Sequence, residues 1–209
     1  MNRIVSLAPS ATSIVRALDA GDRLVGVTAH REVPDVPTLG GWLNPDLDRI
    51  ADLEPDLVLT NDQLQVDLRD ALRDRGYTVA HAEPVTLEDA LATFRTIGDA
   101  IGKPDCGKSL EDRARDRIDR LRSATPDGDD RPVVYCEEWG DPPMAAGNWV
   151  PDAVRVAGAL GRSSGRPSKR SIQMSRSSTT AGPASHRPGH WSNAIGISTP
   201  KCTRSTTRC

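Results

Sequence analysis

The fold is decided by residues 3–28, which read RIVSLAPSATSIVRALDAGDRLVGVT. The stretch opens with a short apolar run at residues 4–7, and its middle places Ile14 and Leu18 on one face of a helix. A second apolar run follows at residues 24–27, directly after a Gly-Asp-Arg turn. This order predicts a strand, a helix and a second strand, which is the start of an α/β fold.

The same alternation continues to about residue 102. Further strands are predicted at residues 57–59 and 77–81, with helices before, between and after them. The strand runs are almost continuously apolar, which is typical of a parallel sheet covered by helices on both faces. We therefore predict an α/β fold in which residues 1–102 form a Rossmann-like parallel-sheet lobe. Ligands of such sheets bind beyond the carboxyl ends of the strands.

Polar residues mark the predicted helix ends. Ser10 is the expected N-cap of the first helix, and Ser109 is the expected N-cap of a long charged helix, with Asp112 in the capping-box position. In the helix after the third strand, Leu64 and Leu72 are expected on one buried face.

The second half of the chain divides into three further segments. Residues 103–125 are a linker that contains the long charged helix, expected at about residues 108–123. Residues 126–160 begin a second α/β lobe. Residues 161–209 contain no Asp or Glu but 9 of the 27 Lys and Arg residues and 17 Ser and Thr residues. We expect this last segment to be a disordered tail.

Charge and hydropathy exclude two classes of partner. The first 160 residues contain all 29 Asp and Glu residues but 18 of the 27 Lys and Arg residues, a net charge of −11. Such a surface repels nucleic acid, so no nucleic-acid partner is expected. No run of about 18 apolar residues exists, so no membrane span is expected. The chain opens without a signal peptide, which predicts a cytoplasmic location if this start is correct.

Four stretches read RIVSLAPSAT at 3–12, GDRLVGVT at 21–28, LDRIADLEPDLVL at 47–59 and DPPMAAGNW at 141–149. In register over residues 3–160, they make the chain similar to the substrate-binding proteins of ABC importers for cobalamin, haem and iron-siderophores. These are the helical-backbone, or class III, receptors, and the cobalamin-binding branch is the most similar.

The resemblance implies two α/β lobes joined by one long backbone helix, with cobalamin or another metal chelate held in the cleft between them. It also implies a binding protein rather than an enzyme, without an intrinsic cofactor, with an ABC importer permease as partner and an extracytoplasmic location. The second lobe of the family continues for about a hundred residues beyond Leu160. Because this chain departs from the pattern there, we expect a second lobe that is incomplete through truncation or a frameshift, followed by a tail outside the family.

A corrinoid or porphyrin has a flat apolar face and polar edges, so its site needs aromatic side chains and a few polar groups. Trp42 is the strongest candidate, since it matches the family and lies in a Gly-Gly loop, although core packing would also explain it. The resemblance also implies permease docking through Asp67, for which a plain solvated charge is the alternative. The residues implied to contact ligand are His30, Trp42, Asn61, Asp62 and His81 in the first lobe, and Trp139, Asn148 and Trp149 in the second.

Neither of the two candidate histidines is paired with Cys or a carboxylate at metal-ligand spacing, so no metal site of the protein itself is predicted. For both, contact with loop backbone is the alternative to ligand contact.

Residues Gly102–Ser109 read GKPDCGKS and match the P-loop expression GxxxxGK[ST] in full. A P-loop needs a strand before it and a helix after it, so that its amides face a phosphate. Here the preceding segment is predicted as a helix that ends at Gly102, with Pro104 as a stop. The predicted context thus disfavours a P-loop. Because the match is complete, a P-loop nucleotide-binding enzyme that uses Lys108 and Ser109 is still an alternative, and a non-functional truncated fragment is another.

Overall fold

The computed structural model of the protein describes residues 3–29, 33–125, 131–140 and 143–161. None of the described helices combines a membrane-spanning length with sufficient apolar character. In chain order the elements are β1 (Ile4–Ser6), α1 (Pro9–Ala17), β2 (Leu24–Val27), α2 (Leu47–Asp52), β3 (Leu57–Asn61), α3 (Val66–Asp74), β4 (Val79–Ala82), α4 (Leu87–Ala100), α5 (Pro104–Ala124), β5 (Val133–Val134), β6 (Glu137–Gly140), β7 (Pro143–Ala145), α6 (Val150–Val156) and β8 (Leu160–Gly161).

The first four strands form one parallel sheet in the order β2-β1-β3-β4. Ile4 of β1 lies opposite Leu24 of β2 on one side and opposite Leu57 of β3 on the other. Val58 of β3 lies opposite Val79 of β4. The predicted α/β class with a parallel sheet is confirmed. Because the strands run in the same direction, their carboxyl ends meet at one edge of the sheet.

Successive residues of the central strand enter two separate cores. Ile4 packs in one cluster with Val15 of α1 and Ile97 of α4. Its neighbour Val5 packs in the other cluster, with Ile50 of α2. Since neighbouring strand side chains point to opposite faces, both faces of the sheet are covered by helices. This explains why the strands are almost continuously apolar.

The long helix α5 packs closely against α4 through two glycines. A Cβ on Gly98 would lie 2.7 Å from the Cα of Gly107, and a Cβ on Gly107 would lie 2.8 Å from the carbonyl oxygen of Phe94. These neighbours are backbone atoms, which cannot move aside as a side chain can. Glycine is therefore required at both positions for the close approach of the two helices.

The segment Gly102–Ser109 joins these two helices. Gly102 has a φ of 70° just after α4, and α5 already begins at Pro104. Because a helix rather than a strand precedes the segment, it lacks the geometry of a P-loop, and the nucleotide-binding alternative is wrong. Lys108 forms an ion pair with Asp112 on the next turn of α5, at 2.5 Å. Since α5 begins at Pro104, Ser109 is not an N-cap, and the predicted capping box with Asp112 is wrong as well.

Proline, not serine, begins two of the helices. α1 begins at Pro9 and α5 at Pro104, each in the first helical turn. Ser10 and Ser109 lie inside these helices, so both predicted N-caps are wrong. Proline suits the first turn because its fixed φ is helical and its missing N–H would have no helical partner there.

The second lobe is described only in part. β5 pairs with β8 in parallel, and β6 pairs with β7 in an antiparallel hairpin. Among its described side chains only Ala159 is buried, at 6% exposure, whereas Val133 is 52% exposed and Leu160 is 39% exposed. The predicted disordered tail, residues 161–209, lies outside the described residues except for Gly161.

Candidate functional site

The first lobe presents its loops at the edge where the carboxyl ends of β1–β4 meet, here called the carboxyl edge. In the segment after β2, Thr38 pairs with Val27 in a parallel bridge. The carbonyl of Gly40 accepts a hydrogen bond from the N–H of Ala29 at 2.9 Å. This path brings the Trp42 loop to the same edge as the other strand ends. The carboxyl edge consists of residues 7–10, 41–43, 61–65 and 82–86.

A buried glutamine joins three of these segments. Gln65 has no exposed surface, and its Oε1 accepts a hydrogen bond from the N–H of Asn61 at 2.7 Å. Its Nε2 donates to the carbonyl of Leu7, at 2.9 Å, and to the carbonyl of Trp42. Gln65 was not among the predicted site residues. A polar residue just before an apolar helical face was the only available signal.

Asn61 and Asp62 both lie at the end of β3. The Nδ2 of Asn61 donates to Ser10 Oγ at 2.7 Å, and its buried Oδ1 has no hydrogen-bond partner among the described residues. Asp62 has a φ of 105°, and its carboxylate accepts a hydrogen bond from the N–H of Leu64 at 2.9 Å. A positive φ is unusual for a residue with a side chain, so this turn is held by its hydrogen bonds.

His81, at the end of β4, has both ring nitrogens in contact with polar side chains. Thr60 Oγ1 lies 2.8 Å from Nδ1, and Glu83 Oε1 lies 3.0 Å from Nε2. The side chain is only 5% exposed. Burial lowers the pKa of His81, and the hydrogen bond to Glu83 opposes that effect. The ring is thus tied into the edge and offers a ligand little free surface.

Apolar side chains also lie exposed along the carboxyl edge. Leu43 is 49% exposed, Leu64 is 68% exposed and Val85 is 58% exposed, and each follows a different strand. Trp42 is half-buried beside Leu43. The predicted burial of Leu64 is wrong, because a short 3₁₀ turn at Gln63–Gln65 precedes α3 and turns this residue outward. The edge therefore combines apolar surface with the polar groups of Asn61 and Asp62, as a flat amphipathic ligand requires.

One segment of the second lobe contacts the first lobe next to this edge. The Oδ2 of Asp152, in α6, accepts a hydrogen bond from the N–H of Leu87 at 3.1 Å. Leu87 begins α4, and residues 83–86 separate it from the end of β4. Trp149, which is 42% exposed, and the exposed Asn148 directly precede α6 in the chain. That hydrogen bond, followed by one from Arg155, lowers the pKa of Asp152.

The remaining predicted residues are placed as follows. Asp67 is exposed in the first turn of α3. Trp139 lies in β6, opposite Met144, and its side chain is outside the described part of the structure. His30 also lies outside the described residues. Within the described ranges, no group of three or more His, Cys, Asp or Glu side chains is placed to hold a metal ion.

The sequence also matches known proteins. A family model described as periplasmic binding protein matches residues 4–177. The chain belongs to this family. The match covers the first lobe, the backbone helix and the described part of the second lobe, and it extends beyond Leu160.

Individual relatives of this periplasmic binding protein cover less of their own length. A vitamin B12-binding protein of Vibrio cholerae serotype O1 is 25% identical over 169 residues, which are 76% of this chain and 59% of the relative. An uncharacterized ABC transporter substrate-binding lipoprotein, YvrC, of Bacillus subtilis (strain 168) is 34% identical over 113 residues, which are 52% of this chain and 32% of the relative. The chain thus spans about three fifths of the length of the first of these relatives.

Solved structures have the same fold. The periplasmic vitamin B12 binding protein BtuF of Vibrio cholerae has a TM-score of 0.65 at 23% identity, with 77% of this chain and 65% of that chain covered. The periplasmic heme-binding protein RhuT of Roseiflexus sp. RS-1 has a TM-score of 0.66 at 23% identity, with 76% and 65% covered. At this identity the likeness shows the fold, which agrees with the topology described above.

Proposed function

We propose that the chain is the substrate-binding component of an ABC importer and binds cobalamin or another metal chelate between its two lobes. The observation that carries the proposal is the carboxyl edge, where Leu43, Leu64 and Val85 are exposed beside the half-buried Trp42. Membership of the periplasmic binding protein family supports this function, as do the names of relatives that bind vitamin B12 or heme.

The chemistry of the edge suits a flat chelate. Apolar surface removed from water contributes about 25 cal/mol per Å², so a corrinoid or porphyrin face laid on Trp42 and its neighbours would bind by burial and stacking. Asn61 and Asp62 would bind the polar rim of the ligand. On the second-lobe side, Asn148, Trp149 and Trp139 would complete the cleft. His81 would act by holding Glu83 and β4 in place, and His30 would line the same pocket.

The wider assignment follows from the same family. Residues 1–102 would be one jaw, 103–125 the linker with its backbone helix, and 126–160 the start of the second jaw. The protein would bind and release its ligand without chemical change, work outside the cytoplasmic membrane and deliver the chelate to a permease. Asp67 is the proposed docking residue on the first lobe, because it is exposed and charged.

A titration with cyanocobalamin, haem and a ferric siderophore tests the proposal, with absorbance and thermal shift as readouts. We expect one of them to bind and to raise the melting temperature. Leu64→Ala should weaken that binding several-fold, because a Leu side chain contributes about 1.5–3 kcal/mol when fully buried. Leu121→Ala is the matched control, since Leu121 is a 45% exposed leucine on the backbone helix. Failure of all three ligands would contradict the proposal and favour a fragment that folds without binding.

A further inference from the structure

The side-chain amide of Gln65 is fully buried, and both its oxygen and its nitrogen form hydrogen bonds with the backbone. Its oxygen accepts the N–H of Asn61, and its two N–H groups donate to the carbonyls of Leu7 and Trp42. These partners also fix which way the amide points, because a flipped amide would place its NH₂ against an N–H and its oxygen against two carbonyls. No other orientation of this side chain satisfies the three backbone groups.

The three partners belong to three separate parts of the carboxyl edge. Leu7 follows β1, Asn61 ends β3, and Trp42 lies in the long loop after β2. The loop bends sharply just before Trp42, since Gly40 has a φ of 92°, and a Cβ there would lie 3.2 Å from the carbonyl oxygen of Asn44. Of the hydrogen bonds described for Trp42, the bond from Gln65 is the one that ties its peptide to the sheet.

If position 65 served only to pack the core, an apolar side chain would be buried there at a lower cost in free energy than a glutamine. Burying an amide costs free energy unless every hydrogen-bonding group has a partner. One of the accepting carbonyls belongs to Leu7, which is itself a fully buried residue of an apolar cluster. A glutamine that makes all three of these hydrogen bonds therefore indicates that position 65 fixes the relative placement of three backbone segments, and does not merely fill the core.

We infer that Gln65 is a positioning residue for ligand binding, which fixes the Trp42 loop against the ends of β1 and β3. The ligand part of this inference rests on the proposed function. Without the bond from Nε2, the Trp42 peptide loses its attachment to the sheet, and the indole no longer has one orientation at the edge. Gln65 itself does not touch the ligand.

The first test needs no ligand. In the full chain with Trp139, Trp149 and Trp191 replaced by phenylalanine, Trp42 is the one remaining tryptophan. Gln65→Met, which has nearly the same shape but neither donor nor acceptor amide, should raise acrylamide quenching of Trp42 fluorescence about twofold or more. The control is Gln63→Met, an exposed glutamine in the same 3₁₀ turn, which should leave quenching unchanged. Unchanged quenching in Gln65→Met would overturn the inference.

The second test separates positioning from a general loss of structure. Gln65→Met alone should weaken chelate binding about tenfold relative to the wild type. Added to Trp42→Ala, it should cause no further loss of affinity, because its effect acts through Trp42. An equal loss in both backgrounds would mean that Gln65 is merely structural and would overturn the inference. If Gln65→Met does not fold, Gln65→Glu replaces it, since it keeps the acceptor for Asn61 and loses the donors. If the wild type binds no chelate, the proposed function fails, and the quenching result still decides whether Gln65 holds Trp42.

Discussion

The two lobes differ in how completely they bury their apolar side chains. In the first lobe, strands and helices enclose two clusters in which Ile4, Val58 and Leu72 have no exposed surface. In the described part of the second lobe, Ala159 is the one buried apolar residue, and Val133 and Leu160 are exposed on a ladder of two short strands. The first lobe thus has its own core, whereas the described second lobe has the start of one.

This difference shows what one backbone helix contributes. α5 is joined to the first lobe by the glycine contact with α4 and by the buried carboxylate of Glu111, which forms an ion pair with Arg95 of α4 at 2.9 Å. At its far end, the side chain of Thr125 donates a hydrogen bond from Oγ1 to the carbonyl of Val156, in the second lobe, at 3.2 Å. Stability is therefore concentrated in the first lobe and its helix, and the second lobe depends on them.

Truncation of a core leucine should give the largest contrast. Leu59→Ala in β3 should destabilise the protein by about 2–5 kcal/mol, because it leaves a cavity in a closed core. Val133→Ala in β5 should change the free energy of unfolding by less than about 0.5 kcal/mol, as is usual for exposed positions. Urea unfolding followed by circular dichroism measures both. Equal losses would mean that the second lobe has a core of its own.

The glycine contact between α4 and α5 should give the next largest effect. Gly107→Ala should cost about 1–3 kcal/mol, because its Cβ would press on the backbone of Phe94 and Gly98. Gly147→Ala in the second lobe is the control, since a Cβ there meets nothing within 4 Å. The same urea titrations apply. A Gly107→Ala protein as stable as the wild type would show that the two helices can separate without cost.

The tryptophans of the two lobes should contribute unequally to binding. Trp42→Ala should weaken chelate affinity at least tenfold, or about 1.4 kcal/mol, because its loop is already held in place by Gln65. Trp149→Ala should cost less, since Trp149 is 42% exposed in the less packed lobe and must be ordered when ligand binds. Absorbance titrations of both variants measure this ratio. A larger loss in Trp149→Ala would place the main contact on the second lobe.

The elements of the first lobe were predictable, because strand and helix periods are local properties of the sequence. Strands at Ile4, Leu24 and Leu57 were predicted close to their observed bounds, and a helix was predicted after the fourth strand, where α4 lies. The order of the strands in the sheet could not be predicted in this way, because it depends on contacts between residues far apart in the chain. The helix starts at Pro9 and Pro104 were missed because a serine competes with a preceding proline as a cap signal.

The polar part of the edge was harder to predict than the apolar part. Trp42 stands out in a glycine-rich loop, and Asn61 follows an apolar strand, so both carry a local signal. Gln65 does not, since two of its three partners lie 58 and 23 residues away in the chain. Leu64 was assigned to a helix face because the 3₁₀ turn that rotates it outward is set by the Asp62 side chain, a detail that hydrophobic spacing does not encode.

Loss of the hydrogen bond between Asp152 and Leu87, which links the two lobes, should have the smallest effect on stability. Acid should abolish this effect, because it protonates Asp152. The pKa of Asp152 lies below its ordinary value of 3.8, first because its carboxylate accepts the N–H of Leu87 and then because of Arg155. The folded state therefore binds fewer protons than the unfolded state as the pH falls below about 3.8, so this contribution is present at higher pH and is lost in acid. Asp152→Asn should be less stable than the wild type at pH 7, and the difference, measured by urea unfolding, should shrink below pH 3.8.

Asp89→Asn is the control for that experiment. The pKa of Asp89 is lowered by hydrogen bonds from Thr86, within the first lobe. Replacing its carboxylate should therefore also make the free energy of unfolding depend less on pH in the acid range. Only Asp152→Asn should release α6 from α4, because Asp89 makes no described contact with the second lobe. Limited proteolysis at pH 7 should therefore cut near residues 150–156 faster in Asp152→Asn than in Asp89→Asn. Equal cleavage would mean that the carboxylate of Asp152 does not hold the lobes together, and that the end of α5 does so alone.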